Sequence, residues 1–191
     1  MRLAIISDIH GNLTALEAVI ADIQNTSPDL VLHGGDLVVG GPRPGEVVDR
    51  IRQLGWAGVL GNTDEVLWTP EKIEERVQRA PKLRALLDIL FHDFSATCDL
   101  LDVERIHWLQ ALPPIWKERE LTLVHASPGD LWQAPMPERE DQQLVSTYAT
   151  PLWSTDTSIG RTSGGLPGLR LRTAALWACR TTAIRVVAML L

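Results

Sequence analysis

The chain has 191 residues, of which 45% are hydrophobic and 22% charged, so it is long enough for one domain with a sizeable core. Its formal net charge of −6 argues against a nucleic-acid backbone as the main partner, because proteins that bind nucleic acids usually carry a basic face. The two cysteines, Cys98 and Cys179, lie far apart and follow no signal peptide. We therefore expect a cytoplasmic protein with reduced thiols.

Apolar runs that are typical of buried strands alternate along the chain with helical patterns. The first run, residues 3–6, is continuous, as expected for a strand buried on both faces. In chain order we predict a strand at 3–6, a helix at 13–23, a strand at 30–33, a helix at 47–54, a third strand ending at 59–60, mostly helix over 65–111, a strand at 121–124 and a helix at 138–148. This alternation is typical of an α/β sheet protein, and we assign residues 1–149 to one such domain.

Residues that can bind a metal ion follow four of the predicted strands. Asp8, Asp36, Asn62 and His125 each come one to three residues after a strand. Because ligands collect at the carboxyl ends of strands in open α/β sheets, we expect these side chains to share one rim. Neighbouring glycines permit tight turns there. Carboxylate, imidazole and amide groups together suit Mn, Fe, Co, Ni or Zn better than calcium or a thiolate-bound structural zinc.

Four short motifs resemble those of a known family. They are Ser-Asp-Ile-His-Gly-Asn at 7–12, His-Gly-Gly-Asp at 33–36, Gly-Asn-Thr-Asp at 61–64 and Val-His-Ala at 124–126. In this order and spacing, the chain resembles the calcineurin-like metallophosphoesterases over residues 1 to about 149. The resemblance implies a four-layer α/β/β/α sandwich, and a dinuclear metal centre that hydrolyses a phosphodiester or a phosphomonoester of a small phosphorylated substrate.

The resemblance also implies a role for five of the motif residues. Asp8 and His10 would bind the first of two divalent metal ions. Asn62 and His125 would bind the second, and Asp36 would bridge both. One carboxylate suits the bridging position because its two oxygens can bind two ions.

Other motif residues have roles outside the metal centre or alternative roles. Asn12 is a candidate for substrate binding, with capping of the following helix as its alternative, and Asp64 is a second candidate. In the family that the chain resembles, many members carry a histidine after the asparagine to help protonate the leaving group, whereas this chain has Thr63. Trp132 is the tryptophan expected nearest to a substrate. The remaining histidines are predicted to be structural or surface residues: His33, His92 and His107.

Residues 150–191 depart from the family pattern. They carry five Arg and one Asp, a balance of +4, whereas residues 1–149 have a balance of −10. The family pattern would continue after the helix at 138–148 with a strand that leads into Gly-His-x-His, whose two histidines complete the two metal shells. No histidine follows His125 in this chain.

A shifted reading frame accounts for the missing motif. When each codon from Trp153 onward is read from its third base, codon degeneracy permits Val-Tyr-Gly-His-Ile-His-Arg-Pro. The same shift over residues 172–185 permits Asn-Cys-Gly-Pro-Val-Gly-Leu-Pro-Tyr-Asp-Gly-Asp-Pro, which resembles the closing segment of the family. We therefore predict an aberrant tail caused by a frameshift near residue 150. The C-terminal strands of the fold would be missing or scrambled, and sheet edges would be left exposed.

Three functions are compatible with these patterns to different degrees. We predict a metallophosphoesterase whose activity is impaired by the loss of Gly-His-x-His. The alternative is a non-catalytic regulator that binds a metal ion or a phosphorylated ligand, with the tail as a genuine variant ending. A Rossmann-type nucleotide binder is disfavoured, because the glycines near 34 and 40 lack the required spacing.

The sequence gives little indication of larger partners. We expect no membrane association, since Arg180 and Arg185 interrupt the apolar stretch at 174–191. The oligomeric state and the identity of the metal are left open.

Overall fold

The computed structural model describes residues 2–79, 84–119, 121–133, 152–154, 170–173, 177–179 and 182–190. Its elements are, in chain order, β1 (Arg2–Ser7), α1 (Leu13–Thr26), β2 (Leu30–His33), α2 (Pro44–Leu54), β3 (Ala57–Gly58), α3 (Asn62–Glu65), α4 (Glu71–Arg79), α5 (Arg84–Leu100), α6 (Val103–Gln110), β4 (Ile115–Glu118), β5 (Leu121–Val124), β6 (Leu152–Ser154), β7 (Arg170–Thr173), β8 (Trp177–Cys179) and β9 (Thr182–Leu190). The predicted α/β alternation is confirmed. No helix in these ranges is both long and apolar enough to cross a lipid bilayer.

The strands form two sheets. In the first sheet the strand order is β3-β2-β1-β9-β7, and β8 pairs with β9. Strands β1, β2 and β3 are parallel, so their carboxyl ends lie at one edge. The second sheet has the order β4-β5-β6, in which β5 and β6 are parallel. The loops that leave β1, β2 and β3 therefore start from the same side of the first sheet.

Strand β1 is buried on both of its faces, as predicted. On one face, Ala4 and Ile6 pack in a cluster with the buried residues of α1 and α2. On the other face, Leu3 and Ile5 pack in a cluster with Leu121 of the second sheet. A helix layer, the first sheet and the second sheet are thus stacked in that order, which gives three of the four layers of the predicted sandwich. The helix predicted at 138–148 lies outside the described residues.

Three local features differ from the prediction. Strand β3 is only Ala57–Gly58, two residues earlier than the strand end expected at 59–60. Strand β4 was not predicted, because the half-exposed pattern of Ile115–Glu118 after two prolines looks like a loop. Helix α3, Asn62–Glu65, is a single turn and is too short to produce a recognisable period.

A strand of the tail pairs with the edge of β1, which we predicted to be exposed. Strand β9 runs antiparallel to β1 and pairs with it from Arg2 to Ser7. The prediction of exposed sheet edges is therefore wrong for β1. The physical reason is that the backbone N–H and C=O groups of a buried strand need partners on both sides, and a strand of any sequence supplies them. The proposed frameshift remains a prediction, because residues 155–169 lie outside the described part of the chain.

His33, at the end of β2, is a buried structural residue. Its exposed fraction is 0%, and neither ring nitrogen has a hydrogen-bond partner among the described residues. Its ring packs near that of Trp108, with the centroids 6.3 Å apart. Burial lowers the pKa of His33 from 6.5 to about 4, since the charged imidazolium would be desolvated there. The imidazole is therefore neutral in the folded protein at neutral pH.

We expect His33 to make the fold sensitive to acid. In the unfolded chain the imidazole takes up a proton near pH 6.5, whereas in the folded chain it does so only near pH 4. The free energy of unfolding should therefore decrease as the pH falls through this interval, by up to about 3 kcal/mol from this residue. Urea unfolding at pH 7 and pH 4.5 should show a smaller loss in a His33→Leu variant than in the wild type.

The exposed His92 offers a matched control for this measurement. Its side chain has a relative exposure of 87%. A His92→Gln variant should lose stability with acid in parallel with the wild type. An acid-induced loss in His33→Leu as large as in the wild type would contradict the assignment of His33.

Candidate metal centre

The loops after β1 and β2 are joined by backbone hydrogen bonds at the edge of the first sheet. The amide of His10 donates to the Asp36 carbonyl at 2.9 Å, and the amide of Gly11 donates to the Leu37 carbonyl at 2.8 Å. The loop after β3 approaches as closely, since a Cβ atom on Gly61 would lie 2.1 Å from the Asp36 amide nitrogen. Only glycine fits at this position, which agrees with the close approach predicted from the sequence.

Three of the predicted ligands have left-handed backbone conformations. The φ angles are 55° at Asp8, 49° at His10 and 53° at Asp36. Such angles are uncommon for residues other than glycine and cost free energy that the surrounding structure must offset. Their concentration at one loop cluster shows that the surrounding structure holds these three side chains in a specific arrangement.

The side chains of these three residues meet at one point. One potential ligand atom from each of Asp8, His10 and Asp36 lies within 4.8 Å of the other two. The Nε2 atom of His10 is 3.8 Å from Oδ1 of Asp8 and 3.7 Å from Oδ2 of Asp36. These separations are suited to a shared divalent cation, whose oxygen and nitrogen ligands lie at about 2.0 to 2.2 Å from the ion.

Asn62 and His125 face the same carboxylate from the other side. Nε2 of His125 is 3.6 Å from Oδ1 of Asp36 and 2.7 Å from Oδ1 of Asn62. Asp36 thus directs one oxygen towards each imidazole. The structure brings all five predicted ligands together, while their binding of metal ions remains a prediction.

The hydrogen bonds of the two histidines fit a metal site. Nδ1 of His10 is 2.7 Å from the Val39 carbonyl, and Nδ1 of His125 is 2.7 Å from the Gly34 carbonyl. Each Nδ1–H therefore donates to a carbonyl, which leaves the Nε2 lone pair as the ligand atom. On its Nε2 side, His125 faces the side-chain amide of Asn62, so the two groups are placed to share one metal ion.

His10 is strongly influenced by its neighbours. Burial acts to lower the pKa of His10, but the carboxylates of Asp8 and Asp36 and the carbonyl of Val39 outweigh burial and raise the pKa to about 9. A metal ion needs the neutral imidazole, so it would have to displace a proton at this position. The carboxylates that hold the proton are the groups that would hold the ion.

Asp64 takes a different position from the predicted contact with substrate. Its exposed fraction is 0%, and its carboxylate accepts hydrogen bonds from the amides of Leu37 and Val38 at 2.8 and 3.1 Å. Burial, together with the charge of Asp36, raises the pKa of Asp64 to about 7. Asp64 therefore ties helix α3 to the loop that carries Asp36, and this position does not favour direct contact with a substrate.

Asn12 caps helix α1. Its side-chain oxygen accepts a hydrogen bond from the Ala15 amide at 3.0 Å, which favours the capping alternative. Trp132 packs in a cluster with Val66 and Ile73, in the loop after His125. His92 and His107 are exposed, as predicted.

The groups that sequence reasoning missed are the carbonyls of Gly34 and Val39 and the amides bound by Asp64, because backbone groups carry no sequence signal.

A family comparison covers most of the chain. The sequence model of the family described as calcineurin-like phosphoesterase matches residues 1–154. Protein MJ0912 of Methanocaldococcus jannaschii is 30% identical over 150 residues, which are 73% of this chain and 56% of that protein. The match to the family ends at residue 154, close to the predicted frameshift near residue 150.

Further relatives carry more specific names. The symmetrical bis(5'-nucleosyl)-tetraphosphatase of Pectobacterium carotovorum is 32% identical over 161 residues, which are 80% of this chain and 54% of that protein. A metallophosphoesterase crystal structure from Sphaerobacter thermophilus is similar with a TM-score of 0.63 and 31% identity, covering 81% of this chain and 59% of that one. The chain spans about half the length of the curated relatives that it matches.

Proposed function

The chain belongs to the calcineurin-like phosphoesterase family, and from this premise we propose that it hydrolyses phosphate esters with a centre of two divalent metal ions. Asp8 and His10 would bind one ion and Asn62 and His125 the other. Asp36 would bridge them. The ions would be drawn from Mn, Fe, Co, Ni and Zn, which suit this mixture of carboxylate, imidazole and amide ligands.

The position of Asp36 carries the proposal. The residue is 4% exposed and directs Oδ2 towards His10 and Oδ1 towards His125, at 3.7 and 3.6 Å. A carboxylate between two imidazoles, each oriented by a carbonyl on its far side, has the form of a bridging ligand. A surface ion pair or a helix cap would not need three left-handed residues to support it.

The protein groups and the metal ions would divide the chemistry. Divalent ions lower the pKa of bound water and polarise phosphoryl oxygens. The carbonyls of Val39 and Gly34 keep the Nε2 atoms of His10 and His125 directed into the centre. Asp64 holds the Asp36 loop against α3, so the ligands do not have to reorganise when substrate binds.

We place the substrate among small phosphorylated molecules. Relatives of this chain are named as bis(5'-nucleosyl)-tetraphosphatases, which supports a nucleotide with a phosphoric anhydride as the first compound to test. The net charge of −6 does not favour a nucleic-acid strand as substrate or partner. We also propose that the tail impairs the activity, because the chain provides no Gly-His-x-His motif for the two remaining metal ligands.

Metal stoichiometry and turnover together test the proposal. The purified chain would be dialysed against Mn²⁺, and its bound metal measured by atomic emission. Hydrolysis of bis(p-nitrophenyl) phosphate and of diadenosine tetraphosphate would then be followed. Two ions per chain with Mn²⁺-dependent turnover is the expected result. One ion or none, without turnover of either compound, would contradict the enzyme and support the non-catalytic regulator.

A further inference from the structure

Thr63 is held rigidly beside the candidate metal centre. Its amide donates to Oδ1 of Asp36 at 2.9 Å. The next residue, Asp64, is buried and accepts hydrogen bonds from the amides of Leu37 and Val38. Helix α3 is thereby locked to the loop that carries the bridging carboxylate, and Thr63 has little freedom to move away from it.

The hydroxyl of Thr63 is left without a partner in this position. Its Oγ1 atom is buried and makes no hydrogen bond within the described residues. A buried polar group without a partner is unfavourable, and in native proteins it commonly marks a catalytic role or a missing ligand. The residue as a whole is partly exposed, and χ1 is the torsion that sets the direction of its hydroxyl.

The imidazoles of the centre are already engaged. Nδ1 of His10 is bound to the Val39 carbonyl and Nδ1 of His125 to the Gly34 carbonyl, and both Nε2 atoms face the Asp36 carboxylate. Neither ring is free to give a proton to a departing oxygen. A threonine hydroxyl donates a hydrogen bond but does not release its proton at neutral pH.

We propose that the Thr63 hydroxyl donates a hydrogen bond to a phosphoryl oxygen of the substrate, and that the centre favours phosphoric anhydrides and aryl esters over alkyl esters. This inference rests on the proposed hydrolysis. In that reaction the oxygen of water forms a bond to phosphorus and its proton passes to solvent. The bond from phosphorus to the leaving oxygen breaks, and its electron pair stays on that oxygen. A phosphate or phenolate departs in this way far more readily than an alkoxide, which needs a proton from a general acid.

Binding of inorganic phosphate in Mn²⁺ tests the role of the hydroxyl directly. Thr63→Val keeps the shape of the side chain and removes the hydroxyl, so calorimetry with the full chain should show affinity for phosphate lowered about tenfold. Thr63→Ser should recover the lost affinity. Thr26→Val is the control, since the Thr26 hydroxyl bonds to the Ile23 carbonyl at the far end of α1.

Two further readouts separate this role from a structural one. Without metal, Thr63→Val should unfold at the same temperature as the wild type or higher, since an unsatisfied hydroxyl has been removed, whereas loss of a structural contact would lower that temperature. For a series of aryl phosphodiesters, the turnover of the wild type should fall steeply as the pKa of the leaving phenol rises. A Thr63→His variant should show a shallower dependence.

The failures of the two proposals are distinguishable. Wild-type affinity for phosphate in Thr63→Val overturns the role of Thr63, and so does a wild-type chain that binds no phosphate in Mn²⁺. Faster turnover of alkyl than of aryl esters overturns the substrate preference. Phosphate binding that depends on Thr63, without turnover of any ester, contradicts the proposed hydrolysis and leaves the role of Thr63 supported.

Discussion

Restoring the shifted reading frame from residue 153 onward should raise Mn²⁺-dependent turnover at least about a hundredfold and tighten the binding of the two metal ions. The restored chain would carry Gly-His-x-His after the strand that corresponds to β6. Loss of a group that only hydrogen-bonds to a metal ligand already lowers metal affinity or activity by about ten- to a hundredfold. The absence of two imidazole ligands should therefore have a larger effect.

The position of β6 explains why the motif would reach the centre. Strand β6 runs parallel to β5, and Ser154 pairs with Leu123. Two residues beyond Leu123 the chain reaches His125, which faces Asp36 and Asn62. Strand β6 therefore ends at the same edge of the second sheet as β5, which leads into His125. In the shifted frame, the first histidine of the motif would therefore be placed next to His125.

Two experiments test the frameshift from opposite sides. The source gene, sequenced again from fresh template across codons 140 to 191, should contain a one-base difference that places Gly-His-x-His in frame. The restored chain should be compared with an otherwise identical chain in which both new histidines are alanine, and only the former should gain activity. An unchanged gene sequence, or equal activity of the two restored chains, would make the tail a genuine ending.

Much of this site could be predicted because metal chemistry restricts residue types. Asp8, His10 and Asp36 combine ligand chemistry with positions just after strands, and the parallel order of β1, β2 and β3 then brings them to one edge. Their left-handed conformations could not be predicted, because such angles in residues other than glycine depend on the contacts that surround them.

Two features of the structure depend on tertiary contacts that local patterns do not reveal. Asp64 has the same residue type as the ligands and lies two residues after Asn62, but docking of α3 buries it against the amides of Leu37 and Val38. Strand β9 was unforeseen because its pairing satisfies the backbone of β1 and needs no sequence pattern. Local patterns therefore indicate which residues a strand end presents, and packing decides which of them face a ligand.

Replacing Asp36, the proposed bridging ligand, should separate metal binding from folding. We expect Asp36→Asn to lower Mn²⁺-dependent turnover by on the order of a thousandfold, because metal ions contribute several kcal/mol to stabilisation of the transition state. The variant should also lose the rise in unfolding temperature on addition of Mn²⁺, which for the wild type at a hundred times the dissociation constant corresponds to about 2.7 kcal/mol.

The fold itself should survive this substitution. Asparagine keeps an oxygen for the Thr63 amide, and it removes a negative charge that lies close to the buried Asp64. The metal-free variant should therefore unfold at the same temperature as the metal-free wild type or higher. Asp49→Asn, which removes an exposed carboxylate paired with Arg105, should cost at most about 1 kcal/mol and leave the response to Mn²⁺ unchanged. A rise in unfolding temperature with Mn²⁺ in Asp36→Asn as large as in the wild type would show that the metal binds elsewhere.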